Sequence, residues 1–163
     1  MSHQVTLQYD EDLLRRAVLR FWWRVVGIRF VIAMVVMAVG LVVLVSGGDR
    51  SWFVGVLATV LALGVAFVVA IYVVHYRHSL RVFRKMGDPE ATLTVTESSL
   101  SMSSGAGSST IPWSTVTELW QFPDFWLLFF SKSQFVTIPL GNFTPEAKAF
   151  LLERVEASGA KIA

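Results

Sequence analysis

His75 and His78 stand three residues apart, a spacing that puts two imidazoles on one helix face, where they could share a metal ion. No nearby Asp or Glu completes a ligand set, and polar side chains are ordinary at the end of a membrane span, so no metal is expected. Glu97, Glu118 and Asp124 could serve as paired acids, but nothing in their spacing brings two of them together. Residues 91–163 contain neither His nor Cys, which leaves their serines without a partner for a Ser–His or Cys–His nucleophile within that stretch. The whole chain lacks cysteine, which excludes disulfides and thiolate metal sites. Gly105, Ala106 and Gly107 have no following lysine or helix start and are read as a turn rather than a phosphate loop. The expectation is a chain that is not an enzyme and carries no cofactor.

The elements that would carry these residues divide sharply. The stretch 51–74 has no charged residue, and neither has 30–48; each reaches the roughly 18 apolar residues required of a spanning helix. Within 52–74 there are fourteen Val, Leu, Ile or Phe residues, each contributing about −0.3 to −0.6 kcal/mol near a helix centre. At ~1.5 Å per residue this segment is ~34 Å long, enough to cross a core of ~30 Å. Trp52, Tyr72 and Tyr76 mark its two interfaces. The first span is placed at 25–45, with Arg29 one turn inside and able to snorkel outward. Residues 46–51 then form a tight turn between antiparallel helices.

Basic residues set an expected orientation. Arg15, Arg16, Arg20, Arg24 and Arg29 come before or at the start of the first span, and Arg77, Arg81, Arg84 and Lys85 follow the second, whereas the turn has only Arg50. Nine against one predicts both termini on the cytoplasmic side. A cleaved signal peptide is the competing interpretation of the first span, but its n-region would be too long and its apolar stretch exceeds the usual 7 to 15 residues. Within 1–24, Asp10 is a candidate N-cap, with Glu11 and Asp12 in the first turn. Leu13, Leu14, Ala17, Val18, Phe21 and Trp22 recur at helical spacing opposite Arg15, Arg16 and Arg20. That pattern suits an amphipathic helix at the inner interface or one packed on the soluble domain. Residues 75–90 are taken as a basic linker.

Ala58, Ala62, Ala66 and Ala70 recur every four residues along the second span. Such a stripe permits close helix approach, either by the first span through Ala33, Met37 and Gly40 or by a second protomer, giving a homo-oligomer. Alanine is also simply common in spanning helices.

From residue 91 the period changes to two. Leu93 and Val95 alternate with threonines, Leu100 and Met102 with serines, and further strand candidates are 110–113, 116–122, 125–130 and 135–139. Turns are expected at 104–108, at Pro123 and Asp124, and at 131–134. Thr144, Pro145 and Glu146 open a helix that Gly159 ends. Val5, Leu7 and Tyr9 alternate as well and could add an N-terminal strand. The expected fold is α+β: a transmembrane hairpin over 25–74, then a small antiparallel sheet domain at 91–163 capped by a helix. Trp120, Phe122, Phe125 and Trp126, with Phe129 and Phe130, make both faces of the 125–130 strand apolar. It is therefore either buried on both sides or turned toward a partner or the bilayer.

Ile111, Pro112, Trp113, Ser114, Thr115 and Val116, then an aromatic strand ending in Leu127 and Leu128, then Ile138, Pro139, Phe143 and Thr144, resemble the YcxB-like family of bacterial membrane proteins. The resemblance implies two N-terminal spans, a domain similar to bacterial pleckstrin-homology-like domains, and a location in the bacterial inner membrane. It brings no catalytic residues.

The function expected is a membrane-anchored interaction module whose partners are the bilayer and another protein. Immunity against a membrane-active toxin and an accessory role beside a transporter also suit the design. Residues 91–163 hold four Lys/Arg against six Asp/Glu, a balance that argues against nucleic acid.

Overall fold

The computed structural model describes residues 2–131 and 134–163. Lys132 and Ser133, in the turn expected at 131–134, lie outside the described residues. The chain forms β1 (His3–Gln8), α1 (Glu11–Ser46), α2 (Trp52–Met86), β2 (Glu90–Val95), β3 (Ser99–Ser104), β4 (Gly107–Pro112), β5 (Glu118–Gln121), β6 (Phe125–Phe129), β7 (Phe135–Pro139), α3 (Pro145–Ala157) and β8 (Lys161–Ile162). Two compact units result: residues 18–78, and residues 1–17 together with 79–163. The α+β class expected from the sequence is the class observed.

The sheet unit contains two four-stranded sheets, ordered β1-β2-β3-β4 and β7-β6-β5-β8. Period-two patterning explains the first. Ala91, Leu93 and Val95 are buried while Thr92 and Thr94 between them are half-exposed. β1 joins this sheet antiparallel to β2, with Val5 opposite Leu93 and Leu7 opposite Ala91, so the two strands offer their apolar residues to the same side. The hairpin of α1 and α2 is therefore an insertion between two neighbouring strands of one sheet. In the second sheet β5 and β6 pair antiparallel, and β8 runs parallel to β5 with Ile162 opposite Leu119.

A single core joins the sheets and α3. Leu7, Leu93, Leu100, Leu119, Leu128, Ile138, Leu151 and Val155 are all essentially inaccessible to water. Thr144 caps α3 by accepting the N–H of Ala147, with Pro145 at the first helical position, and Gly159 follows the helix end at a φ of 79°. Polar ties sit at the margins. The Tyr9 hydroxyl donates to the Thr137 carbonyl at 2.8 Å, and its burial raises the phenol pKa above the ordinary value. The Trp113 indole donates to the Thr96 carbonyl at 2.9 Å.

The helical unit has the opposite distribution of apolar surface. Both helices are long and apolar enough to cross a membrane, and no residue of either most apolar window is buried. Helices that are apolar all round suit a lipid solvent. α1 begins at an Asp10 cap, whose carboxylate accepts the N–H of Leu13, and it is broken at Gly27, where φ is 72° and ψ 148°. Only glycine takes that conformation without strain, so the break divides an N-terminal helical segment from the apolar one. α2 runs without a break to Met86; residues 75–86, taken as linker from the sequence, are helical.

Candidate functional site

Within residues 18–78 the helices pack along a seam of half-buried positions. On α1 these include Val31, Met34, Ala38 and Leu41, and on α2 Val54, Leu57, Leu61, Gly64, Val68 and Ile71. Steps of three and four residues along both helices are those of knobs-into-holes packing. Gly64 admits Met34: a β-carbon at Gly64 would lie 2.8 Å from Met34 Cε. The Trp22 indole donates to the Val68 carbonyl at 2.9 Å. Of the alanine stripe, Ala58 is half-buried and Ala62, Ala66 and Ala70 are exposed; on α1, Met37 and Gly40 are half-buried and Ala33 is exposed. Gly64 was not singled out from the sequence, although its three-residue step from Leu61 and four-residue step to Val68 were visible there.

The basic side chains Arg15, Arg16, Arg20, Arg24, Arg77, Arg81, Arg84 and Lys85 are all exposed. Arg15 and Arg16 pair with Asp12 at 2.8 and 2.9 Å, contacts that contribute little in water. His75 packs its ring against Phe21 at 4.7 Å between centroids. Among the described residues no three His, Cys, Asp or Glu side chains come together.

The aromatic strand is covered on both faces. Every residue of β6 is buried, as is Trp120, while Phe122 and Phe130 are half-buried. Trp126 and Leu128 belong to the common core. Trp120, Phe125, Leu127 and Phe129 are buried outside it, and the remaining apolar side chains of the same unit buried outside it are Leu13, Leu14 and Ala17. The first turns of α1 are thus buried on their apolar side within this unit.

Glu97 stands in the β2–β3 turn, Glu118 on β5 and Asp124 in the β5–β6 turn, three separate elements. The pairing of β1 brings one histidine into the sheet unit that a count over residues 91–163 leaves out. His3 lies against the Phe150 ring at 4.9 Å, and no serine hydrogen-bonds it among the described residues. Gly105 meets the end of α2 so closely that a β-carbon there would lie 1.9 Å from the Met86 carbonyl oxygen.

The surface left open is polar. Gln4, Thr94, Ser101 and Thr110 are paired in one row across β1 to β4, and Thr6, Thr92, Ser103 and Ser108 in another. The Ser101 and Thr110 hydroxyls share a hydrogen bond of 2.9 Å. β4 is the terminal strand of its sheet, exposed and uncharged from Gly107 to Thr110.

Comparison with curated proteins and with solved structures finds no match. Residues 95–153, which run from the end of β2 into α3, match the family described as YcxB-like protein, so the likeness seen in the short apolar motifs holds across most of the sheet unit, and two helices fit to span a membrane stand ahead of that region.

Proposed function

We propose that this protein is a non-enzymatic interaction module, held by its two spans at the cytoplasmic face of a bacterial inner membrane. The observation that carries this reading is the insertion of the hairpin between β1 and β2. Strands that share backbone hydrogen bonds must lie on one side of a bilayer, so two crossings return the chain to where it began. The excess of Arg and Lys on the flanks over the turn favours the cytoplasm as that side. Two four-stranded sheets sharing a core with a C-terminal helix support a pleckstrin-homology-like reading of the sheet unit.

The partner is another protein, and the surface best suited to it is the open edge of β4. Sheet edges are normally guarded by charge or proline against strand addition. Here Gly107, Ser108, Ser109 and Thr110 carry neither, the proline of β4 standing at its far end, and alternate residues among them turn their backbone to the open side, as receptors for an added strand do. Reporter fusions after Ala163 and at Gly48 should give opposite signals, with Ala163 inside; an external C-terminus would overturn the orientation. A photoreactive residue at Ser109 should form a discrete adduct in intact membranes that the same residue at exposed Glu156 does not. No adduct at Ser109, or equal adducts at both, would overturn the choice of edge.

A further inference from the structure

The two ends of the helical unit carry charge unequally. His75 meets the Phe21 ring at 4.7 Å between centroids, and the Trp22 indole reaches the Val68 carbonyl, so the residues around Phe21 on α1 lie level with those around His75 on α2. A step of three residues along a helix covers ~4.5 Å at ~1.5 Å per residue. Within that reach of the Phe21–His75 contact fall Arg20 and Arg24 on α1 and Arg77 on α2, all exposed. No carboxylate shares the layer: Asp49, in the turn at the other end, is the sole Asp or Glu between residues 18 and 78.

A second observation fixes what this layer faces. Trp22 and Trp23 meet edge-on at 5.3 Å and Tyr72 and Tyr76 stack at 5.9 Å, all of them within the same reach of the Phe21–His75 contact. Trp23 is 45% exposed. Trp and Tyr gather where lipid head groups meet the hydrocarbon. From this layer to the turn the helices run over residues 25–46 and 52–71, ~33 and ~30 Å at ~1.5 Å per residue, which matches a hydrocarbon core of ~30 Å. The aromatic residues and the lengths of the spans, two independent measures, thus put the arginines at head-group level.

We infer that the layer of Arg20, Arg24 and Arg77 is a docking site for the phosphates of anionic phospholipids, in the leaflet at the basic end of the hairpin. Cations of one sign with no acid at their level select an anion, and the aromatic residues among them select the lipid surface as its source. A nucleic acid or an acidic protein would need these arginines clear of the bilayer, with the Trp and Tyr side chains turned to water. The inference rests on the reading that both helices cross a bilayer; it needs neither a protein partner nor a choice of face.

The test uses the full chain in nanodiscs of equal parts phosphatidylglycerol and phosphatidylcholine, from which the protein is released with its retained lipids for native mass spectrometry. The wild type should retain phosphatidylglycerol in preference to phosphatidylcholine by about five-fold, the scale set by one arginine close to anionic lipid. The triple variant Arg20→Gln, Arg24→Gln and Arg77→Gln should lose the preference. A second triple, Arg84→Gln, Lys85→Gln and Lys161→Gln, removes the same charge from the end of α2 and from β8 and should keep it. Equal retention of the two lipids by the wild type, a preference that survives the first triple, or the same loss in both triples would each overturn the inference. Incorporation into the nanodiscs reports the spanning helices whichever lipid is kept, so a protein that incorporates without a preference fails this inference and not the reading beneath it.

Discussion

Leucine behaves in opposite ways in the two units. Leu93 in the sheet unit is wholly buried, whereas Leu63 in the helical unit is 65% exposed, and each is typical of its surroundings. The sheet unit hides apolar residues from water by alternation along strands; the helical unit displays them because its solvent is lipid, and it reserves close packing for one seam. Burial is thus a relation between a residue and the medium it meets, and the same substitution should have different consequences in the two units.

The largest contrast is expected from truncation. Leu151→Ala, at the fully buried centre of the α3 face, should cost about 2–5 kcal/mol, whereas Leu63→Ala should change stability by no more than about 0.5 kcal/mol. Denaturant melts in detergent, followed by tryptophan fluorescence, would measure both, and similar losses would erase the distinction. Charge reverses the ranking. Leu63→Arg should disfavour insertion by about 3 kcal/mol and reduce the carbonate-resistant membrane fraction, while Ser109→Arg on exposed β4 should leave that fraction unchanged.

A smaller effect tests how the end of α2 is held within the sheet unit. Gly105→Ala places a methyl group against the Met86 carbonyl and should cost about 1–3 kcal/mol by overpacking. Gly55→Ala, which meets nothing within 4 Å, should be neutral or slightly stabilising in the same melts. The smallest effect is at the start of α3. Thr144→Ala should cost about 1 kcal/mol through the lost cap. The Glu146 carboxyl is held below its usual pKa, first by its own backbone N–H and then by the Thr144 hydroxyl. A folded pKa below the unfolded one gives stability that is present above the unfolded value and lost as pH falls through the folded one. Wild type should therefore lose a small stability increment over Glu146→Gln on acidification from neutrality to below pH 4.

Much of this architecture was legible because local periodicity reported it. The charge-free stretches marked both spans, alternation from Leu93 marked the sheet, and Thr144, Pro145 and Gly159 bounded α3. Non-local features were harder to see. Val5 and Leu7 alternate visibly, but their partners in β2 are more than eighty residues away, and no local pattern reports pairing at that distance. β8 has two residues, too few for any period, and is defined by its register with β5. The strand expected at 110–113 begins earlier, at Gly107, because glycine and serines form the exposed edge; Trp113 instead enters a short 3-10 turn. The double apolar face of β6 could be read in the residues, but not what covers it, since burial depends on elements distant in sequence. The helix seam was hidden by an abundance of Val, Leu and Ala in which every face looks alike.

The place of the hairpin between β1 and β2 also sets an order of events during synthesis. β1 is made before β2, and Glu90, the partner of Gln8, follows about eighty residues later, a delay of roughly 4–16 s at ~5–20 residues per second. Through that interval Val5 and Leu7 have no strand to lie against, and two apolar helices emerge behind them. β1 must wait for both helices to be made before its sheet can exist, so synthesis of the spans comes before completion of the fold.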